Sequence, residues 1–172
     1  MKLNVKNIAI GSLLAAVSTI LLAVGSVIET LDISLAVTAS IVVFALILEQ
    51  KDRLALSVYI VTSLLSLLLL PQKMPALMYL MFFGWYPFGK RVFEKTGRAA
   101  SWVLKILFFN IAVLLYWLAA KFILLIPDET KIIFILTICL ANAAFVLYDI
   151  FCTKFVVFYY VRISPRIRKL MK

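Results

Sequence analysis

The chain has 172 residues, of which 65% are hydrophobic and only 15% charged, and its mean hydropathy is +1.10. Soluble domains run near half apolar and a quarter charged, so this composition excludes an ordinary soluble domain and predicts one membrane domain over residues 1–172. The net charge of +10, from 18 Lys+Arg against 8 Asp+Glu, would fit nucleic acid if it were spread evenly, but it is clustered in the way membrane topology clusters it, and no nucleic-acid partner is expected.

Lys2 and Lys6 precede an apolar run from Ile8 to Ile28, and Ala23-Val24-Gly25 resembles a cleavage triplet. The run is too long for the apolar region of a signal peptide, so it reads as a retained first helix. Small residues recur on it every fourth position, at Gly11, Ala15, Thr19 and Ala23. That spacing puts them on one face and lets another helix approach closely. Packing within the chain is the default use of such a face; docking of a separate subunit is the sharper one.

Five further apolar segments follow, Ile33–Leu48, Leu54–Leu70, Pro75–Phe88, Trp102–Ile126 and Ile132 to an end between Cys152 and Val161. A span needs about 20 residues, so the second and fourth are short, and the fourth is broken at Gly84 and Pro87. Backbone groups freed at that break must find partners in protein or water rather than lipid. The loops between segments are too short to hold a domain.

The densest internal cluster of positive charge, Lys90, Arg91, Lys95 and Arg98, follows the broken segment. Such clusters stay on the cytoplasmic side. With both termini inside, only Lys73, Lys121 and Lys131 of the 18 basic residues fall outside. The expected fold is therefore all-α, a polytopic six-transmembrane-helix bundle, N-in and C-in, ending in a short basic cytoplasmic tail over about 162–172. The tail residues Arg162, Arg166, Arg168, Lys169 and Lys172 suit anionic membrane lipids. The location expected is the cell membrane, a bacterial plasma membrane.

Two further constellations could carry function. Asn110, Trp117 and Lys121 lie near one face of the fifth helix. Lys121 either snorkels to the outer surface or lines an outward pocket with Trp117. Tyr79 and the outer-loop residues Glu29, Asp32 and Lys73 are at compatible depth for that small-molecule pocket. Lys105 and Asp149 come at similar depth near the inner side and are expected to form an intramembrane ion pair; the competing role for Asp149 is a proton relay, for which one carboxylate without histidine is poorly equipped. Cys139 and Cys152 are 13 residues apart, about 20 Å on one helix, too far for a disulfide within the chain.

Histidine is absent, which removes imidazole catalysis and histidine metal sites. No nucleophile elbow, zinc motif, P-loop or pair of intramembrane carboxylates occurs. No catalytic residue, metal or cofactor is expected, and the chain reads as a non-enzyme.

Length, six helices, internal termini and the Gly11–Ala15–Thr19–Ala23 stripe together resemble the substrate-binding S components of energy-coupling factor (ECF) transporters, as does the Phe83-Gly84-Trp85-Tyr86-Pro87 run. The resemblance covers the whole chain in architecture, although only Ala15 and Ala23 of the stripe are alanine. It implies capture of a small nutrient from outside. The stripe would meet the coupling helices of a T component, and that component would work with two cytoplasmic ATPases. The alternative is a scaffold subunit of a membrane assembly, similar to the rod-shape protein MreD.

Overall fold

A computed structural model describes residues 5–123 and 131–163. Among them every regular element is helical. The chain divides into two compact units, Met1–Ile126 and Pro127–Lys172. The expected loop at 127–131 and the basic tail lie largely outside the described residues.

The first unit opens with α1, Val5–Val27. A 3-10 turn, Glu29–Leu31, leads into α2, Asp32–Leu48. The Asp32 carboxylate accepts the Ile33 amide in the first turn, where a negative charge suits the helix dipole. Helix α2 buries Ala36, Ala39, Ser40, Val43, Phe44, Leu46 and Ile47. It packs on α1, on α3 (Asp52–Leu69) and on the fourth segment. A helix apolar on all sides is a core helix, and this one is the centre of the unit.

The α2–α3 connection is tight because Gln50 adopts φ +58°. Its amide reaches Ile47 O at 3.0 Å, and the Lys51 amide reaches Leu46 O at 3.0 Å. These two bonds cap the helix as a Schellman motif. At the other end of α3, Leu70 is extended with ψ 135° because Pro71 excludes the helical region for the residue before it.

The fourth segment is interrupted. It comprises α4, Met74–Met78, a π-helical turn, Tyr79–Phe83, and α5, Tyr86–Phe93. Pro87 has no amide to give Phe83 O, and its ring would collide with that carbonyl. The helix cannot continue, and the slack is taken up by the π turn, in which the Gly84 amide reaches Tyr79 O at 2.8 Å. Helix α6, Arg98–Ile123, completes the described part of this unit. Its Tyr116 hydroxyl donates to Met74 Sδ at 2.8 Å, tying α6 to the start of α4.

The second unit holds α7, Lys131–Phe158, closed by a π turn, Tyr159–Ile163. Cys139 and Cys152 are both free thiols on it.

Six helical segments thus stand where six apolar segments are expected, the fourth in two pieces. Among the described residues four stretches are long and apolar enough to cross a membrane: Asn7–Val27, Asp52–Leu69, Arg98–Phe122 and Ile135–Arg162. Asp32–Leu48 is apolar but shorter.

Candidate functional site

Among the described residues many Ser and Thr hydroxyls satisfy themselves locally. Ser12, Thr19, Thr38, Ser57, Ser66 and Thr153 each donate to a carbonyl one turn back. That is the usual resolution for Ser and Thr inside an apolar helix. Ser18 on α1 and Thr62 and Ser63 on α3 do not, and neither does the Tyr79 hydroxyl at the head of the π turn. All four are buried.

They sit at one level of the bundle. A Cβ on Gly11 would meet Leu54 and Val58, which sets α1 beside α3. Helices α1 and α3 run parallel, as two successive reversals require. Ser18, two turns beyond Gly11, therefore comes level with Thr62. The Tyr79 hydroxyl faces Thr62, near it but not aligned for a hydrogen bond. Ser63 stands beside Tyr59.

Tyr59 itself donates to Leu80 O at 2.7 Å. Leu80 O would have accepted the Gly84 amide in an unbroken α-helix, but the π turn sends that amide to Tyr79 O. Tyr59 thus supplies the donor that the interruption takes away. Its ring packs on Tyr79, Trp85 and Phe88, with centroids 6.0, 5.9 and 6.5 Å apart.

The residues expected to line an outward pocket take the following places. Tyr79 is 0% exposed and belongs to the core. Lys73 Nζ donates to Leu70 O at 2.6 Å and so caps α3. Asp32 accepts the Ile33 amide in the first turn of α2, and Glu29 lies in the 3-10 turn before it. Asn110 donates back to Ile106 O at 2.9 Å. Lys121 lies over the Trp117 ring at 5.2 Å, near the end of α6 where a cation suits the dipole. Trp117 and Lys121 are the pair from that set brought together by these contacts.

Gly11, Ala15 and Thr19 of the small-residue stripe are buried and Ala23 is half-buried. Ala15 belongs to the core cluster with residues of α2 and α3, and Ala23 packs against it. The stripe is filled by the chain's own helices.

At the end of the first unit where α3 begins, Lys90 and Lys105 converge on one carboxylate. Glu94 Oε1 is 2.8 Å from Lys90 Nζ and 3.1 Å from Lys105 Nζ. The lysines are 1% and 6% exposed, Glu94 45%. Lys105 also lies over Trp102 at 5.5 Å. Arg91 pairs with Asp52 at the start of α3. Together these contacts fix α5 to α3 and α6. Asp149, the expected partner of Lys105, is on α7 in the second unit, where its carbonyl accepts Thr153 Oγ1 at 2.9 Å.

Sequence reasoning singled out Tyr79 but missed Ser18, Tyr59, Thr62 and Ser63. Their signal was the presence of hydroxyls in otherwise apolar helices, which carries little weight until their local bonds are seen to be unmade. Among the described residues no three His, Cys, Asp or Glu side chains gather in a group that could hold a metal. No family model, no curated protein and no solved structure matches the chain.

Proposed function

We propose that this chain is a multi-pass membrane protein with six segments in the bilayer and both termini on the cytoplasmic side of a bacterial plasma membrane. It works by binding rather than catalysis, as the substrate-capturing membrane subunit of an uptake transporter resembling an ECF S component. The observation that carries this reading is an interrupted helix, Tyr79–Phe83, beside four buried hydroxyls. Polar groups within membrane helices are costly and mark functional sites, and membrane transporters build their solute sites where helices are broken. The partners would be a T component, its two ATPases, surrounding lipid and a small solute taken from outside.

A second reading, a non-transport interaction subunit of MreD type, is favoured by the filled stripe. Gly11 and Ala15 pack inside the chain rather than offering a face to coupling helices.

Purification in mild detergent, with mass spectrometry of proteins and small molecules, separates the two. Recovery of a T component and ATPases supports the first, and recovery of cell-wall synthesis proteins alone supports the second. Orientation is tested with a Lys95→Cys variant. Its thiol should resist a membrane-impermeant reagent in intact cells and react after permeabilisation.

A further inference from the structure

We propose that Ser18, Thr62, Ser63 and Tyr79 enclose a bound water site, one or two molecules deep in the core of the first unit. The four hydroxyls are buried and none meets full hydrogen-bond geometry with a protein partner, although the Tyr79 hydroxyl lies against Thr62 and Ser63 lies against Tyr59. Three of them had a helix carbonyl within reach one turn back, as Thr19 and Ser66 use theirs at 2.9 and 2.6 Å. Leaving a buried hydroxyl unpaired is unfavourable, because its bonds to bulk water are lost without replacement. Declining an available carbonyl three times over at one level of the bundle means that another partner is present.

The chemistry of that partner follows from the donors. A hydroxyl both gives and accepts, and a water molecule is satisfied by about three such neighbours. A cation would use only the lone pairs. The hydroxyl protons would then need the helix carbonyls, to which Ser18, Thr62 and Ser63 are not bonded. All four groups are also neutral, so nothing in the set offsets the desolvation of an ion. Water also suits the setting, since a broken membrane helix draws on ordered water to satisfy its backbone. Water is required here whether or not the chain carries a solute.

X-ray radiolysis of the full-length protein in lipid nanodiscs tests this directly, because bound water beside a reactive ring labels that ring. Tyr86 is the internal control: it is 0% exposed like Tyr79 but packs on the Phe82 and Phe108 rings. Tyr79 should label several-fold faster than Tyr86. Thr62→Val, which keeps shape and removes the hydroxyl, should lower the melting midpoint by about 2–4 °C. If that variant fails to fold, the labelling of the unaltered protein decides. Equal labelling of the two tyrosines would overturn the site. So would a rise in midpoint for Thr62→Val, the response of a dry unpaired hydroxyl, or a midpoint that follows sodium chloride but not choline chloride, the response of an ion site.

Discussion

The Tyr59 hydroxyl donates to the Leu80 carbonyl at 2.7 Å, joining two residues that are 21 apart in sequence and on different helices. This bond makes the interruption at Pro87 tolerable, since a carbonyl released by a π turn inside an apolar bundle has no lipid donor to turn to. Tyr59→Phe retains the ring contacts with Tyr79, Trp85 and Phe88 and removes only the donor. It should cost about 1–3 kcal/mol, read as a lower midpoint in denaturant titration of the detergent-solubilised protein. An unchanged midpoint would mean that Leu80 O is served by something else.

Gly84 and Gly97 should respond oppositely to alanine. A Cβ on Gly84 would stand 2.5 Å from Tyr59 Cδ2 and 3.0 Å from Tyr79 Cε1. Both rings are held in the aromatic packing, so one must move, and overpacking of this kind costs about 1–3 kcal/mol. A Cβ on Gly97 meets nothing within 4 Å, and its φ is not positive. Gly97→Ala should stabilise by about 0.4–1 kcal/mol by restricting the unfolded chain. Thermal midpoints of the two variants, measured side by side, check the contrast.

Gln50 occupies the left-handed position of the cap between α2 and α3, at φ +58°. A side chain there costs roughly 1–2 kcal/mol, part of which glycine gives back in backbone entropy. Gln50→Gly should therefore raise stability by up to about 1 kcal/mol while keeping the cap bonds of Gln50 and Lys51. A lower midpoint would show that the Gln50 side chain contributes more than the strain removes.

Two carboxylates near the start of α3 and the end of α5 should differ in weight. Asp52 pairs with Arg91 where both are largely exposed, 55% and 43%, and surface pairs contribute about 0–1 kcal/mol. Glu94 instead serves two lysines that are nearly out of solvent. Removing one partner from buried cations is the costly change, tempered here by the exposure of Glu94 itself. Glu94→Gln should lower the thermal midpoint more than Asp52→Asn, and added salt should shrink the Asp52 effect first.

Much of the fold was legible in the sequence because it follows from strong, local physics. Long apolar runs bounded by charge gave six helical segments, with α2 and α3 ending within a residue of expectation at Leu48 and Leu69. Pro87 and Gly84 marked the break in the fourth. The site was less legible because it depends on which bonds are left unmade. Tyr79, expected at an outer pocket, is buried in the core cluster at the head of the π turn. Lys73 and Asn110, expected as ligand anchors, each donate to a backbone carbonyl three or four residues back, a local bond that spacing along the sequence does not announce. Glu94, 11 residues before Lys105, lies within reach of it across a short turn, a local contact that matching residues by depth does not find.

The small-residue stripe supplies the test that bears most on function. Ala15 is 2% exposed and sits in the core cluster, so a leucine there must displace neighbours on α2 or α3, at about 1–3 kcal/mol. Ala23, half-buried beside that cluster, has more room, and Ala23→Leu should cost less. Measured on the isolated chain, with no other subunit present, Ala15→Leu should lower the midpoint clearly and Ala23→Leu only slightly. A docking face behaves otherwise. Its bulky variants leave the isolated chain as stable as before and lose only the partner on purification. If Ala15→Leu gave that second pattern, the stripe would be open to another subunit in the membrane, and the objection it raises to the transporter reading would disappear.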